Sequence, residues 1–230
     1  MNTFCKIENL TKRYEQDEDC PVNNLSFTIN EGDFISIEGP SGTGKSTLLY
    51  MIGGLIKPTE GKIFFEETEL TTMSDKEITK WRKEKMGFIF QETILFAALT
   101  AKENLIQELK MKQHLPKSEA NKQTEIYLEK VGLSERADYL PHQLSVGQRR
   151  RLIIARALMS DARLILADEP TNDLDDTWSE KIINMLIEKS KSGCAVIMVT
   201  HNNKWAKRAF SRYVLENGTI NLMEKSESIN

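Results

Sequence analysis

Residues 39–47 read Gly39-Pro40-Ser41-Gly42-Thr43-Gly44-Lys45-Ser46-Thr47. A glycine, four residues, glycine-lysine and a hydroxyl residue form a spacing suited to a chain of phosphates. Small residues let successive backbone N–H groups close around a β-phosphate, where a bulky side chain would block the approach. Lys45 supplies a point charge between β- and γ-phosphates, and the Ser46 hydroxyl is a ligand for Mg²⁺. Further on, Leu164-Ile165-Leu166-Ala167-Asp168-Glu169 puts two acids where an apolar run ends. Asp168 can hold Mg²⁺ there, directly or through water, and Glu169 can orient and deprotonate an attacking water. Phosphoryl transfer needs little beyond a metal, charge stabilisation and a positioned nucleophile. By itself Asp-Glu-Pro is common strand-end punctuation; the phosphate loop upstream makes it a candidate site.

The elements that must position these groups are legible in the pattern. Phe34-Ile35-Ser36-Ile37 precedes the loop as a strand, and Leu48, Leu49 and Ile52 follow it at helical spacing. The start of that helix adds favourable potential for phosphates. In open α/β sheets ligands collect at the carboxyl ends of strands, where both clusters fall. Residues 4–38 predict short strands and turns, followed by a helix over 45–52, a strand over 62–65, a charged helix over 75–85 and a strand over 87–90 ending at Gln91. Residues 92–140 change character. Helical periodicity over 101–111 and 117–131, divided by Pro116, marks an insertion of about 50 residues in an alternating α/β chain. Then come helix 147–159, strand 163–167, helix 178–190, strand 195–199, helix 203–209 and a hairpin, 213–216 with 219–223, around Asn217-Gly218. Residues 224–230 are polar and expected to fray.

At 230 residues, 40% hydrophobic and 28% charged, the chain can bury a sizeable core. A formal charge of −3 gives no global reason to expect nucleic-acid binding. Cys5, Cys20 and Cys194 are scattered and form no Cys-x-x-Cys pair, which suits free thiols in a reducing compartment. No apolar stretch approaches about 18 residues, and the N-terminus lacks a signal-peptide apolar segment. A cytoplasmic location is the expectation.

Leu144-Ser145-Val146-Gly147-Gln148 stands just before a helix. Ser145 is a plausible N-cap, and backbone N–H groups at 146–148 would point out of the helix start, a second anion site. With this motif after a helical insertion and between the two clusters above, the chain resembles the ATP-binding subunits of ABC transporters, from Tyr14 to about Met223. The resemblance implies an α/β P-loop NTPase core with an N-terminal antiparallel β-subdomain and an inserted α-helical subdomain. It implies one ATP-binding domain: 1–91 and 160–223 as β-subdomain and core, 92–159 as the helical subdomain with the signature.

It further implies ATP and Mg²⁺ as cofactors, and a head-to-tail pairing with a second ATP-binding subunit, a homodimer by preference. Ser145, Val146, Gly147 and Gln148 would then face ATP held by the partner's phosphate loop. Tyr14 resembles the aromatic that stacks on adenine, although ordinary surface packing is the simpler reading of one tyrosine. Gln91 resembles the glutamine that links Mg²⁺ and water to a transmembrane permease. His201 resembles the switch histidine at the γ-phosphate, and Asp175 the acid of the loop signalling between sites. Ser46, Gln91 and Asp168 are the implied Mg²⁺ ligands, and Glu169, His201, Lys45 and Gln91 the implied catalytic groups.

Gly53-Gly54-Leu55 and Gly87-Phe88-Ile89-Phe90-Gln91 look like the macrolide-exporter and lipoprotein-release group, systems that export or extrude peptide, lipoprotein or drug-like substrates. The permease is expected to dock on Glu92–Leu99, with Phe96, Ala97, Ala98 and Leu99 exposed; alternatively these fill the helical lobe. The subunit would then lie on the cytoplasmic face of the inner membrane as a peripheral protein. A non-transport role as mechanical regulator or assembly scaffold is the alternative. A DNA- or ribosome-associated ATPase would call for long coiled coils, zinc-finger insertions or tandem cassettes, none of which is in the sequence. Arg149–Arg151 suggest a solvated helix face or, failing that, a contact with acidic lipid or a partner. The signature departs from its usual form at Val146, where glycine is the rule. A β-branched residue restricts the backbone and adds bulk near a γ-phosphate. A Val146→Gly variant is therefore expected to hydrolyse ATP several-fold faster, about 1 kcal/mol in barrier; an equal or lower steady-state rate would contradict this.

Overall fold

Alternating apolar residues near the N-terminus make antiparallel pairs. β1 (Thr3–Lys12) buries Cys5, Ile7 and Leu10 and pairs with β2 (Val22–Asn30). The next strand, β3 (Phe34–Glu38), is buried from Phe34 to Ile37, and α1 (Lys45–Ile52) follows the phosphate loop. β4 (Glu60–Phe65) and the short β5 (Thr68–Glu69) precede α2 (Asp75–Lys85), whose start is fixed by a reciprocal capping box between Ser74 and Glu77. Then come β6 (Met86–Ile89), α3 (Ala101–Lys112), α4 (Lys117–Lys130) and α5 (Val146–Leu158). The chain continues through β7 (Leu164–Asp168), α6 (Asp176–Lys191), β8 (Ala195–Val199), α7 (Asn203–Ala206), β9 (Ser211–Glu216) and β10 (Thr219–Lys225). This computed structural model describes residues 3–14, 20–112 and 115–225.

Among the described residues there are two sheets. One is antiparallel, in the order β2-β1-β4-β5. The other runs β10-β9-β3-β8-β7-β6; its neighbours from β9 to β6 are parallel and only β10 is antiparallel. The fold is thus the expected α/β core with an antiparallel sheet and a helical insertion.

Three apolar clusters hold these layers together. One joins the antiparallel sheet and α1 to one face of the core sheet, and a second packs α6 and α7 on the opposite face. The third unites α3 and α4 with Leu152, Ala155 and Met159. Helix α5 belongs to two clusters at once, because Ile154, Ala157 and Leu158 point into the core instead. Apolar residues at both sets of helical spacings leave α5 with little solvated face.

That placement corrects the expectation for Arg149–Arg151. Arg150 and Arg151 are buried and Arg149 is half-buried. Each guanidinium ends on backbone carbonyls at the ends of neighbouring elements, which is how a buried charge is tolerated. Arg149 donates to Leu144 O at 2.9 Å, and Arg151 to Val131 O. Arg151 also lies 3.9 Å over the ring of Trp178, joining α5 to α6. Two of the three arginines therefore have no free surface to offer a lipid.

Other differences are local. The helix expected over 203–209 stops at Ala206, because the chain must turn to pair Ser211 with Ile35 in the sheet. Helix α6 starts two residues early, where Asp175 accepts from Trp178 N at 2.8 Å and caps it. Glu224 and Lys225, expected to fray, belong to β10; residues 226–230 lie outside the described residues.

Candidate active site

The phosphate loop connects β3 to α1, and its glycines are required by close packing. A Cβ on Gly44 would stand 2.4 Å from Pro21 O, and one on Gly39 would stand 2.4 Å from Leu215 O. Both residues also have positive φ, +94° and +148°. Lys45 is buried and donates to Gly39 O at 2.8 Å and Pro40 O at 2.6 Å, so its ammonium is pinned at the neck of the loop. Burial lowers its pKa from 10.5, against the opposing pull of the Glu169 and Asp168 charges. Beside the loop is a cavity of about 350 Å³ lined by Tyr14, Pro21, Gly42, Gly44, Lys45, Ser46 and Thr47. The Tyr14 hydroxyl lies 3.4 Å from Thr47 Oγ1, and the Lys12 ammonium sits 5.3 Å from the ring centroid. Tyr14 is 41% exposed and open to a planar ligand.

The register of the parallel strands brings the acids to the same edge. Asp168 is level with Val199, and Val199 with Ile37, two residues before Gly39. The Asp168 carboxylate accepts from Tyr50 Oη at 3.2 Å and from the Ser46 hydroxyl. Ser46 and Tyr50 are one helical turn apart on α1, so both meet the same acid. Burial raises the Asp168 pKa from 3.8, and the Ser46 and Tyr50 hydrogen bonds offset part of the rise. Tyr50 is pushed up to about 12, first by burial and then by the Asp168 charge, so it remains a neutral donor.

Glu169 takes a left-handed backbone, φ +48°, immediately after β7, with its N–H on Val199 O at 2.9 Å. A non-glycine residue held there carries strain that its surroundings must maintain. Its carboxylate accepts from Thr200 Oγ1 at 3.1 Å, His201 N at 3.0 Å and His201 Nδ1 at 2.7 Å. An ionised carboxylate can only accept, so Nδ1 carries the proton in that contact. The His201 side chain is otherwise well exposed. A buried carboxylate fixed in this way at a phosphate site can take a proton from a water, and the imidazole beside it can donate to an anion.

The remaining expected residues lie around this centre. The Gln91 carbonyl accepts from Arg150 at 3.1 Å, and Gln91 itself is exposed. Ser145 caps α5 in a reciprocal box: Gln148 N reaches Ser145 Oγ at 3.2 Å and Ser145 N reaches Gln148 Oε1 at 2.8 Å. Val146 is 49% exposed at the first helical position. A Cβ on Gly147 would lie 2.9 Å from Asp173 O, so the loop before Asp175 rests on the signature. None of residues 145–148 lines the cavity beside the phosphate loop. Asp175 is exposed and occupied as the α6 cap. In the 92–99 segment Phe96, Ala97 and Ala98 are exposed, Leu99 is half-buried, and Leu95 packs into the helical cluster. Fully buried Asn104 shapes this segment, accepting from Phe96 N at 2.9 Å and donating to the carbonyls of Leu99 and Thr100.

A family model described as "ABC transporter" matches residues 22–172, more than half the chain and inclusive of both strand-end clusters and the signature. The chain belongs to the ABC transporter family. Its relatives extend the match almost end to end. The lipoprotein-releasing system ATP-binding protein LolD of Aquifex aeolicus is 37% identical, covering 96% of this chain and 97% of that one. The uncharacterized ABC transporter ATP-binding protein MJ0796 of Methanocaldococcus jannaschii is 40% identical, covering 96% of each. A dimeric structure of a post-hydrolysis state of the MJ0796 cassette, bound to ADP and Pi, superimposes with a TM-score of 0.91 at 38% identity, over 97% of this chain and 99% of that one. This chain is accordingly an adenine-nucleotide-binding ATPase cassette of the family.

Three side chains now central, Tyr50, Thr200 and Asn104, were not singled out from the sequence, and a fourth, Arg150, was read there only as part of a solvated or lipid-facing trio. The one-turn spacing from Ser46 could have flagged Tyr50, and adjacency to His201 could have flagged Thr200. Arg150 and Asn104 contact segments remote in sequence and carried no such signal. Replacing Thr200 by the isosteric valine removes one donor to Glu169, worth about 1–1.5 kcal/mol. The expected result is a roughly tenfold lower kcat with little change in KM for ATP, measured by phosphate release; an unchanged kcat would separate Thr200 from the function of Glu169.

Proposed function

We propose that this chain is the ATP-hydrolysing subunit of a membrane complex of the lipoprotein-release and macrolide-exporter type. The observation that carries the reading is the convergence of Lys45, Asp168, Glu169 and His201 at the carboxyl ends of β3, β7 and β8. In this reading the 39–47 loop wraps the phosphates, Lys45 neutralises β- and γ-oxygens, and Tyr14 stacks on adenine. Ser46, Asp168 and Gln91 offer hard oxygen donors, and the hydrogen bond between Ser46 and Asp168 supports the reading that these two would hold one Mg²⁺. Bound Mg²⁺ would neutralise charge on the β- and γ-phosphates. Glu169 takes the proton of the attacking water. His201 meets the γ-phosphate in this reading, Nε2 being the ring nitrogen that Glu169 does not engage.

The signature supplies the rest from a second copy. With the Gln148 N–H held by Ser145 Oγ, the backbone N–H groups at 146 and 147 are left as the helix-start anion site, and a head-to-tail pair would bring each to the other's ATP. A homodimer with two equal sites would satisfy both halves, and Asp175 is then read as the acid of the loop signalling between them. The exposed Phe96, Ala97 and Ala98, on a loop braced by Asn104, give a permease an apolar foothold within Glu92–Leu99. Among the described residues no helix is long and apolar enough to cross a membrane. The subunit works as a peripheral protein at the cytoplasmic face, and its membrane partner selects the exported cargo.

Glu169→Gln is expected to keep ATP binding, lower turnover by about 10²–10⁴ and trap an ATP-bound dimer in size-exclusion chromatography. Tagged chain from solubilised membranes should co-purify a multi-span protein. Undiminished hydrolysis in the variant would remove Glu169 as the base. Glu169-dependent hydrolysis with soluble partners alone would replace the exporter with a mechanical or scaffold role.

A further inference from the structure

The Arg150 side chain is used in an unusual way. It is fully buried, it springs from α5 two residues after the signature, and it donates to five backbone carbonyls. Two of those carbonyls, Phe90 and Gln91, stand at the end of β6. The other three, Asp168 at 2.8 Å, Glu169 and Pro170 at 3.4 Å, stand at the end of β7. One planar group thus clips three separate segments together: the helix carrying Ser145–Gln148, the turn carrying Gln91, and the strand end carrying both acids. Only arginine has enough donors in a fixed fork to do so.

The contacts fall where the backbone most needs support. Glu169 sits at φ +48°, and its own carbonyl, together with those of Asp168 and Pro170 on either side, is held by the guanidinium. On the far side, the Glu169 N–H is held by Val199 O and its carboxylate by Thr200 and His201. The left-handed conformation is therefore fixed from the α5 side by Arg150 and from the β8 side by the residues after Val199.

We propose that Arg150 is a positioning residue: it transmits the location of the signature helix to the Glu169 backbone and the Gln91 turn, so that the base is aligned only when α5 is seated. The idea rests on Glu169 being the base, as argued above. Arg150 touches no reacting atom in this account; its effect passes through Glu169.

The test is a double-mutant cycle on the full chain, with single-turnover ATP hydrolysis and ATP affinity measured for wild type, Arg150→Met, Glu169→Gln and the double variant. Arg150→Met should slow hydrolysis by about tenfold or more while ATP affinity changes less than about twofold, since the phosphate loop is untouched. In the Glu169→Gln background it should add almost nothing to the residual rate, because there is no base left to misalign. Equal slowing in both backgrounds, or no slowing in either, would overturn the proposal. If Arg150→Met does not fold, Arg150→Lys keeps the charge without the planar fork, and the same non-additive pattern is required of it. Failure of the wild type to show Glu169-dependent hydrolysis would instead remove the underlying reading, a result distinct from an unaffected Arg150 variant.

Discussion

The structure turns on the level ends of three parallel strands. Ile37 pairs with Val199, and Val199 with Asp168. Once that register is set, the residues just beyond each strand have to meet: Gly39 and Lys45 after β3, Glu169 after β7, Thr200 and His201 after β8. A shift of one residue in any of them would turn its buried side chains to the opposite face of the sheet, so the packing of both faces enforces the site. The apolar runs that build these strands are buried throughout on β7 and β8, as expected for parallel strands covered on both sides.

Helix α5 is the second fixed element, because it cannot move without disturbing two apolar clusters. Leu152, Ala155 and Met159 commit it to the helical insertion, and Ile154, Ala157 and Leu158 to the core. Its three arginines extend this hold by polar contacts: Arg149 to its own N-terminal approach, Arg151 to the turn at 131–132 and Trp178, and Arg150 to the strand ends. The helix start that presents Ser145–Gln148 is therefore linked by hydrogen bonds to the backbone of the two acids at the end of β7.

Much of this was legible in the sequence, for identifiable reasons. The phosphate loop, the acidic strand end and the signature are local motifs, and their strand and helix contexts follow from periodicity over a few residues. The hairpin at Asn217-Gly218 was equally local, and both residues have the positive φ that such a turn demands. What stayed hidden depended on contacts between distant segments. The burial of Arg150 follows from segments near residues 90 and 169 meeting over α5, and no local pattern distinguishes it from a solvated arginine. The same holds for Asn104, which looks like an ordinary helix residue until the loop it braces is in place. The early end of α7 was missed because sheet pairing at Ser211 overrode helical spacing.

The central claim is that each copy contributes half of an ATP site, with the phosphate loop of one facing the signature of the other. Ser41 and Ser145 are both exposed, Cys5 and Cys194 are buried, and the half-buried Cys20 is replaced by serine throughout. The most direct measurement is disulfide cross-linking of a Ser41→Cys, Ser145→Cys double variant in the Glu169→Gln background, with and without ATP. The account predicts ATP-dependent dimers joined between position 41 of one copy and position 145 of the other. Monomers alone, under conditions where ATP is bound, would contradict it.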